Sequence, residues 1–267
     1  MNINCLNGET MSREQIDAYL ERLNMDPPVQ LDLEYLSRLQ LAHLQRIPFE
    51  NLDILAGKLT SLDHQVLFEK IINNKRGGVC AELNTLYNWL LDSLGFQVIS
   101  HSSRLIAEAA PFQIRRHRVM EVSLGDKRYL TDVGINFEYS RCPLLMEDGV
   151  VQFDGMCEYK LTRDAFFGWI MWQKRPGYDW RRKIGFTEEP QLDLDFMLAC
   201  YYYDTHPDST MNKFPKVSFY APDCFYAIRN HEFLVERCDI PVSVTPIPSA
   251  EEERRLIEDF FHLHTPD

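Results

Sequence analysis

The spacing of apolar residues changes at Gly95, and this change constrains the fold more than any other feature of the chain. Before Gly95, apolar residues such as Leu83, Leu86 and Leu90 recur at helical intervals. After it, short strand-like segments follow one another, and residues 119–124 and 129–133 flank a Gly-Asp turn that favours a hairpin. The sequence therefore predicts an α+β protein in which helices come first and strands follow.

The composition narrows the possible partners. The chain has 267 residues and a formal net charge of -12, which argues against nucleic acid as the main partner. No apolar run approaches membrane-spanning length, and residues 1–11 lack the pattern of a signal peptide. The scattered cysteines suggest neither a disulfide framework nor a metal site. We expect a soluble cytoplasmic protein without a metal or membrane contact, and the oligomeric state is left open.

Cys80 has the sequence surroundings of a reactive thiol. It follows Gly77 and Gly78 and starts a helix-like pattern, so its thiol is expected at a helix N-terminus. Free backbone N–H groups and the helix dipole favour the thiolate there, and the thiolate is the nucleophilic form. The alternative is a buried cysteine with only a packing role, which is common in soluble proteins. We interpret Cys80 as a candidate nucleophile.

His117 and Asp132 are candidates for the base that a nucleophilic cysteine needs and for the group that orients this base. His117 opens the first strand of the predicted hairpin and Asp132 lies in the second, so cross-strand pairing could bring them together. A carboxylate beside the imidazole stabilises the imidazolium, which in turn favours the thiolate. On spacing alone, His117 could instead be an ordinary hydrogen-bonded histidine and Asp132 a cap.

Several segments resemble the arylamine N-acetyltransferase family. Residues 76–84, Arg-Gly-Gly-Val-Cys-Ala-Glu-Leu-Asn, look like the segment that carries that family's catalytic cysteine. Residues 48–52 resemble the segment upstream of it, and residues 129–134 resemble the one that holds the family's aspartate. His117 lies where the family has its histidine, and residues 195–209 contain two further matching pieces. The resemblance runs from about residue 12 to about residue 235.

The resemblance implies a Cys80–His117–Asp132 triad similar to that of papain-like enzymes. The implied activity is transfer of an acetyl group from acetyl-CoA to the nitrogen of an arylamine or arylhydrazine. The reaction would follow a ping-pong course through an acetyl-cysteine, without a metal. The implied fold has a helical bundle that carries the cysteine, a β-barrel that carries the histidine and aspartate, and an α/β lid, over residues 1–95, 96–210 and 211–267.

Two groups of charged residues lie near the implied triad in the sequence, and the second group has two interpretations. In the family, a glutamate of the upstream segment pairs with the arginine of the cysteine segment. The resemblance therefore implies that Glu50 binds Arg76 in a bidentate pair that holds the glycine turn. Arg115, Arg116 and Arg118 surround His117 and form either a cluster that attracts the phosphates of coenzyme A or ordinary solvated charge.

The resemblance also implies that Phe49, Gly134 and Ile135 contact the substrate. The chain departs from the family here, because Ile135 replaces a phenylalanine that would line the acceptor pocket. Ala81 replaces an aromatic residue after the cysteine, and Arg116 replaces a threonine before the histidine. The departures at Ala81 and Ile135 leave room for a larger acyl group or acceptor.

Other functions stay open for the same set of residues. A thiol hydrolase, a transglutaminase-like amide exchanger or an amide synthase that acts on acyl thioesters could use the same triad. A non-catalytic binding protein could keep the fold with an unreactive cysteine.

Overall fold

The structure is a computed structural model, and it describes residues 3–106, 113–238 and 240–264. The α-helices in these ranges are α1 (Arg13–Leu23), α2 (Leu33–Arg46), α3 (Leu52–Leu55), α4 (His64–Phe68), α5 (Cys80–Leu94), α6 (Met197–Thr205) and α7 (Ala250–Asp259). A π-helical turn, Glu69–Asn73, continues α4. None of these helices is long and apolar enough to cross a membrane.

All strands but the first, which precedes α3, follow α5 in the chain. They are β1 (Phe49–Glu50), β2 (Gln97–Leu105), β3 (His117–Leu124), β4 (Lys127–Thr131), β5 (Leu144–Leu145), β6 (Gln152–Phe153), β7 (Glu158–Asp164), β8 (Gly168–Lys174), β9 (Arg181–Gln191), β10 (Lys216–Tyr220), β11 (Phe225–Arg229), β12 (Glu232–Arg237) and β13 (Ile240–Pro246). The α+β class is confirmed.

Helix α5 is the central helix of the N-terminal bundle. It begins at Cys80, as predicted, and most of its residues are buried on all sides. It ends at Gly95, which has a φ of 98° in the left-handed region that favours glycine. Leu36 of α2, Leu20 of α1 and Leu67 of α4 belong to the same apolar core as the buried face of α5. The thiol is therefore held by the best-packed helix of the bundle.

The strands β2 to β9 form one antiparallel sheet in the order β5-β4-β3-β2-β9-β8-β7-β6. β5 also contacts β7, so the two ends of the sheet approach each other and the barrel is nearly closed. The predicted hairpin is present as β3 and β4, with Met120 opposite Thr131. The interior of the barrel contains Val119, Tyr159 and Phe186 in one apolar cluster.

A second antiparallel sheet has the order β1-β10-β11-β12-β13. Its edge strand β1 comes from the helical part of the chain, and Glu50 pairs with Val217. Helix α7 packs on this sheet through Ile257 and ends at Asp259. The division into residues 1–95, 96–210 and 211–267 stays a prediction.

Candidate active site

Cys80 is the first residue of α5. The preceding residue, Val79, is extended with a φ of -80° and a ψ of 170°, and its N–H donates to the carboxylate of Glu82 at 2.9 Å. The Cys80 residue is only 8% exposed. The backbone N–H groups of the first turn and the helix dipole therefore act on a buried sulfur, where water screens them little.

His117 and Asp132 lie side by side at the end of the hairpin. Nε2 of His117 is 2.6 Å from Oδ2 of Asp132, and both residues are buried. Burial by itself lowers the pKa of His117, but the carboxylate of Asp132 and a hydrogen bond with the Cys80 side chain outweigh burial and raise it to about 10. His117 is therefore an imidazolium at neutral pH, and both other members of the implied triad raise its pKa.

Asn84 joins the cysteine helix to the aspartate, and the sequence interpretation gave it no role. Its Nδ2 donates to Oδ1 of Asp132 at 2.8 Å and to the carbonyl of Arg118 at 2.7 Å, while its Oδ1 accepts from the N–H of Val133 at 2.9 Å. A signal was present, because Asn84 follows Cys80 by four residues and thus lies on the same helix face. Asn84 fixes the carboxylate that orients His117.

The loop after β4 lies directly against the start of α5. A Cβ atom added at Gly134 would be 2.8 Å from the carbonyl oxygen of Cys80 and 2.9 Å from its Cα, which only a glycine avoids. The N–H of Gly134 donates to Oδ1 of Asp132 at 2.9 Å. Phe49 and Ile135 are both buried, but Phe49 belongs to the apolar cluster of Cys80 and Ile135 to that of the barrel. The structure thus does not bring these two residues into one cluster.

Glu50 and Arg76 form the ion pair that the resemblance implied, with a different geometry from the one expected. Nε and Nη2 of Arg76 both donate to Oε1 of Glu50, at 3.0 and 2.8 Å. The second carboxylate oxygen accepts the N–H of Leu52 at 2.8 Å. The pair is therefore not a two-oxygen fork, because the backbone of the α3 turn occupies the other oxygen.

The ion pair continues into a network that reaches the start of α5. Lys70 lies 2.8 Å from both Asp53 and Glu82. Burial alone would raise the pKa of Asp53, but Lys70 outweighs burial and lowers it, whereas burial dominates at Glu82 and raises its pKa. The sequence interpretation missed these three residues, although an acidic residue at the third position of a helix is typical of N-terminal capping.

The basic residues around His117 do not form a surface cluster, so that interpretation was wrong for Arg118. Arg118 is 0% exposed, and its guanidinium contacts Asp193 at 2.6 Å, Thr85 at 2.8 Å and Ser100 at 2.9 Å. Strand alternation turns it toward α5, away from solvent. Arg115 and Arg116 alone remain near the surface beside His117.

A cavity of about 1030 Å³ lies beside the candidate triad and does not include it. Residues of α6, parts of segments 6–15 and 59–65, and Trp89 of α5 line it, whereas His117, Asp132 and Cys80 do not. Cys200 lies between this cavity and Cys80, because it lines the cavity and its pKa is raised by burial and by the neighbouring Cys80. No group of acidic, histidine and cysteine side chains suited to a metal ion occurs in the described parts of the chain.

Comparison with known proteins identifies the family. The N-acetyltransferase family model matches residues 32–266. The arylamine N-acetyltransferase of Mycolicibacterium smegmatis is 34% identical over 228 residues, which cover 83% of this chain and 82% of that protein. The chain belongs to the arylamine N-acetyltransferase family. It is therefore an acyltransferase, and the resemblance seen in the sequence is confirmed.

Solved structures agree with this membership. The arylamine N-acetyltransferase from Salmonella typhimurium superposes with a TM-score of 0.88 at 28% identity, covering 97% of this chain and 94% of that one. The Mycobacterium marinum arylamine N-acetyltransferase in complex with CoA superposes with a TM-score of 0.85 at 25% identity, covering 93% and 92%. The fold is shared over nearly the whole chain.

Proposed function

We propose that this chain transfers the acetyl group of acetyl-CoA to the nitrogen of an arylamine or arylhydrazine. The observation that carries the proposal is the buried His117–Asp132 hydrogen bond together with the effect of Cys80, the first residue of α5, on the pKa of His117. The relatives are arylamine N-acetyltransferases, which supports the acceptor class, and the coenzyme A complex of the Mycobacterium marinum protein supports the donor. We also infer a cytoplasmic location, where thiols stay reduced.

In the first half-reaction, the Cys80 thiolate attacks the carbonyl carbon of the thioester. The oxyanion that develops is stabilised by backbone N–H groups at the start of α5, which are directed at this position before the reaction begins. The bond to the coenzyme A sulfur breaks, and His117, an imidazolium, gives its proton to that sulfur. The products are an acetyl-cysteine and a neutral His117.

In the second half-reaction, the amine nitrogen attacks the acetyl carbon of the acetyl-cysteine. Neutral His117 takes the proton from the nitrogen, and the sulfur of Cys80 leaves as a thiolate. The amide departs, and the thiolate and imidazolium are restored. Asp132 keeps the ring oriented in both halves, and we propose that Phe49, Gly134 and Ile135 form the surroundings of the acceptor.

Other residues support this site without touching the reacting atoms. We propose that the Glu50–Arg76 pair and its continuation to Glu82 hold the glycine turn and thereby the direction of the Cys80 side chain. The sheet β10–β13 reaches the site through its pairing with β1, the strand that contains Phe49. In this position it can shield the acetyl-cysteine from hydrolysis.

Intact-mass spectrometry tests the proposal directly. Mixing the protein with acetyl-CoA should add one acetyl group, and an arylamine chase should remove it. The adduct should be absent in Cys80→Ala and present in Cys142→Ala, a control that removes a thiol more exposed than Cys80. An adduct that persists in Cys80→Ala, or one that hydrolyses at the same rate with and without amine, would contradict the transferase proposal.

A further inference from the structure

Tyr203 of α6 lies against the sulfur of the nucleophile. Its residue is 3% exposed, and its hydroxyl oxygen is 3.4 Å from Sγ of Cys80. The same hydroxyl donates a hydrogen bond to the backbone carbonyl of Arg116, the residue before His117. One hydroxyl therefore links the cysteine helix to the strand that carries the base.

The hydroxyl of Tyr203 remains protonated wherever such an enzyme works. Burial, and next the neighbouring Cys80, raise its pKa well above the usual value of a tyrosine. While Cys80 is a thiol, its S–H donates to the tyrosine oxygen. Once the proton has moved to His117, the sulfur can only accept. Rotation about the C–O bond of Tyr203 then breaks its hydrogen bond to the Arg116 carbonyl and directs the hydrogen at the thiolate, and no proton is gained or lost.

Few groups compete for this role. Among the described residues, the titratable groups whose pKa the Cys80 side chain affects are His117 from β3 and Tyr203 and Cys200 from α6, and the guanidinium of Arg116 lies 5.7 Å from the centre of the Tyr203 ring. Burial keeps Cys200 a neutral thiol, which is a weak donor. The backbone of Tyr203 is fixed because its carbonyl accepts from Ser209 at 2.8 Å.

We propose that the Tyr203 hydroxyl is a hydrogen-bond donor to the Cys80 thiolate and holds the sulfur in line with His117. This inference rests on the proposed function only in taking Cys80 as the nucleophile, and it is independent of the acyl donor. The hydrogen bond stabilises the thiolate and leaves the thiol little affected, since bonds to charged acceptors are the stronger ones.

The pH dependence of Cys80 alkylation measures this bond without any acyl donor. Iodoacetamide labelling, followed by mass spectrometry of the peptide that contains Cys80, gives an acid midpoint for the reactive form. In Tyr203→Phe we expect this midpoint to rise by about one unit, with a roughly tenfold slower reaction below it. Tyr202→Phe is the matched control, because this neighbouring ring stacks on His206 at 4.5 Å, and its profile should equal that of the wild type.

A second variant keeps the test decisive if Tyr203→Phe melts early. Tyr203→3-fluorotyrosine keeps the ring and makes the hydroxyl a stronger donor, so the midpoint should move down, opposite to the phenylalanine variant. The proposal is overturned if the Tyr203→Phe profile coincides with the wild type, or if both variants shift in the same direction. If the alkylation profile shifts but the protein forms no acetyl adduct, the proposed transfer from acetyl-CoA is refuted and the proposed role of Tyr203 is supported. If an acetyl adduct forms but the profiles do not shift, the role of Tyr203 is refuted and the proposed transfer is supported.

Discussion

Replacing Glu50 by glutamine removes the central charge of the network behind Cys80. Glu50 is 0% exposed and accepts three hydrogen bonds, two from Arg76 and one from the N–H of Leu52. In Glu50→Gln, the guanidinium of Arg76 keeps one carboxylate partner among the described residues, which is Asp53 at 3.4 Å. Breaking one side of a buried ion pair costs about 3–5 kcal/mol, and the partial exposure of Arg76 places this case near the lower value of about 3 kcal/mol.

Urea unfolding at pH 7 measures this cost as a shift of the unfolding midpoint, with the slope of the free energy of unfolding against urea concentration unchanged. The loss should persist in high salt, because a buried pair is screened little. Asp17→Asn is the control, since the Arg13–Asp17 pair has side chains 69% and 51% exposed and its removal should leave the midpoint unchanged within error. A loss below about 1 kcal/mol in Glu50→Gln would refute the view that this pair holds the turn before α5.

Three further predictions follow from single contacts. Asn84→Ala frees the Asp132 carboxylate, so the rate of acetyl-enzyme formation should fall by roughly 10- to 100-fold in stopped-flow assays, while the fold, followed by circular dichroism, persists. Gly134→Ala places a Cβ against Cys80, and thermal unfolding should show a loss of about 1–3 kcal/mol. Burial lowers the pKa of His43 to about 3, so the folded protein keeps it neutral while the unfolded chain protonates near pH 6.5. The stability from neutral His43 is thus present above pH 6.5 and is lost as the pH falls toward 3. Wild type should lose about 1.2 kcal/mol more than His43→Gln in urea unfolding between pH 6 and pH 5.

Local signals explain the parts of the structure that the sequence predicted. The glycines before Cys80 and the regular apolar spacing after it define the start of α5, and Gly95 defines its end. The alternation on both sides of the Gly-Asp turn defines the β3–β4 hairpin. Each of these features depends on residues within a few positions of one another, so no knowledge of tertiary packing is needed.

The features that the sequence did not predict depend on contacts between distant segments. Arg118 is buried because Ser100, Thr85 and Asp193 meet around it from three separate segments of the chain. A charged residue in a strand ordinarily indicates exposure, and nothing near Arg118 in sequence contradicts this. The contact of Tyr203 with Cys80 spans 123 positions and is likewise invisible to local patterns.

Residues 48–52 and 76–84, which resemble the family's segments before and at the cysteine, form one structural unit. The N–H of Glu50 donates to the carbonyl of Gly78 at 3.0 Å, and a Cβ atom at Gly77 would collide with the carbonyl oxygen of Pro48. The segments therefore touch through their backbones, and the Arg76 side chain closes the same contact from the other side. Because β1 also pairs with β10, the two-residue strand couples the C-terminal sheet to the glycine turn that precedes Cys80. The glycines, the glutamate and the arginine thus serve one requirement, which is to fix the backbone immediately before Cys80.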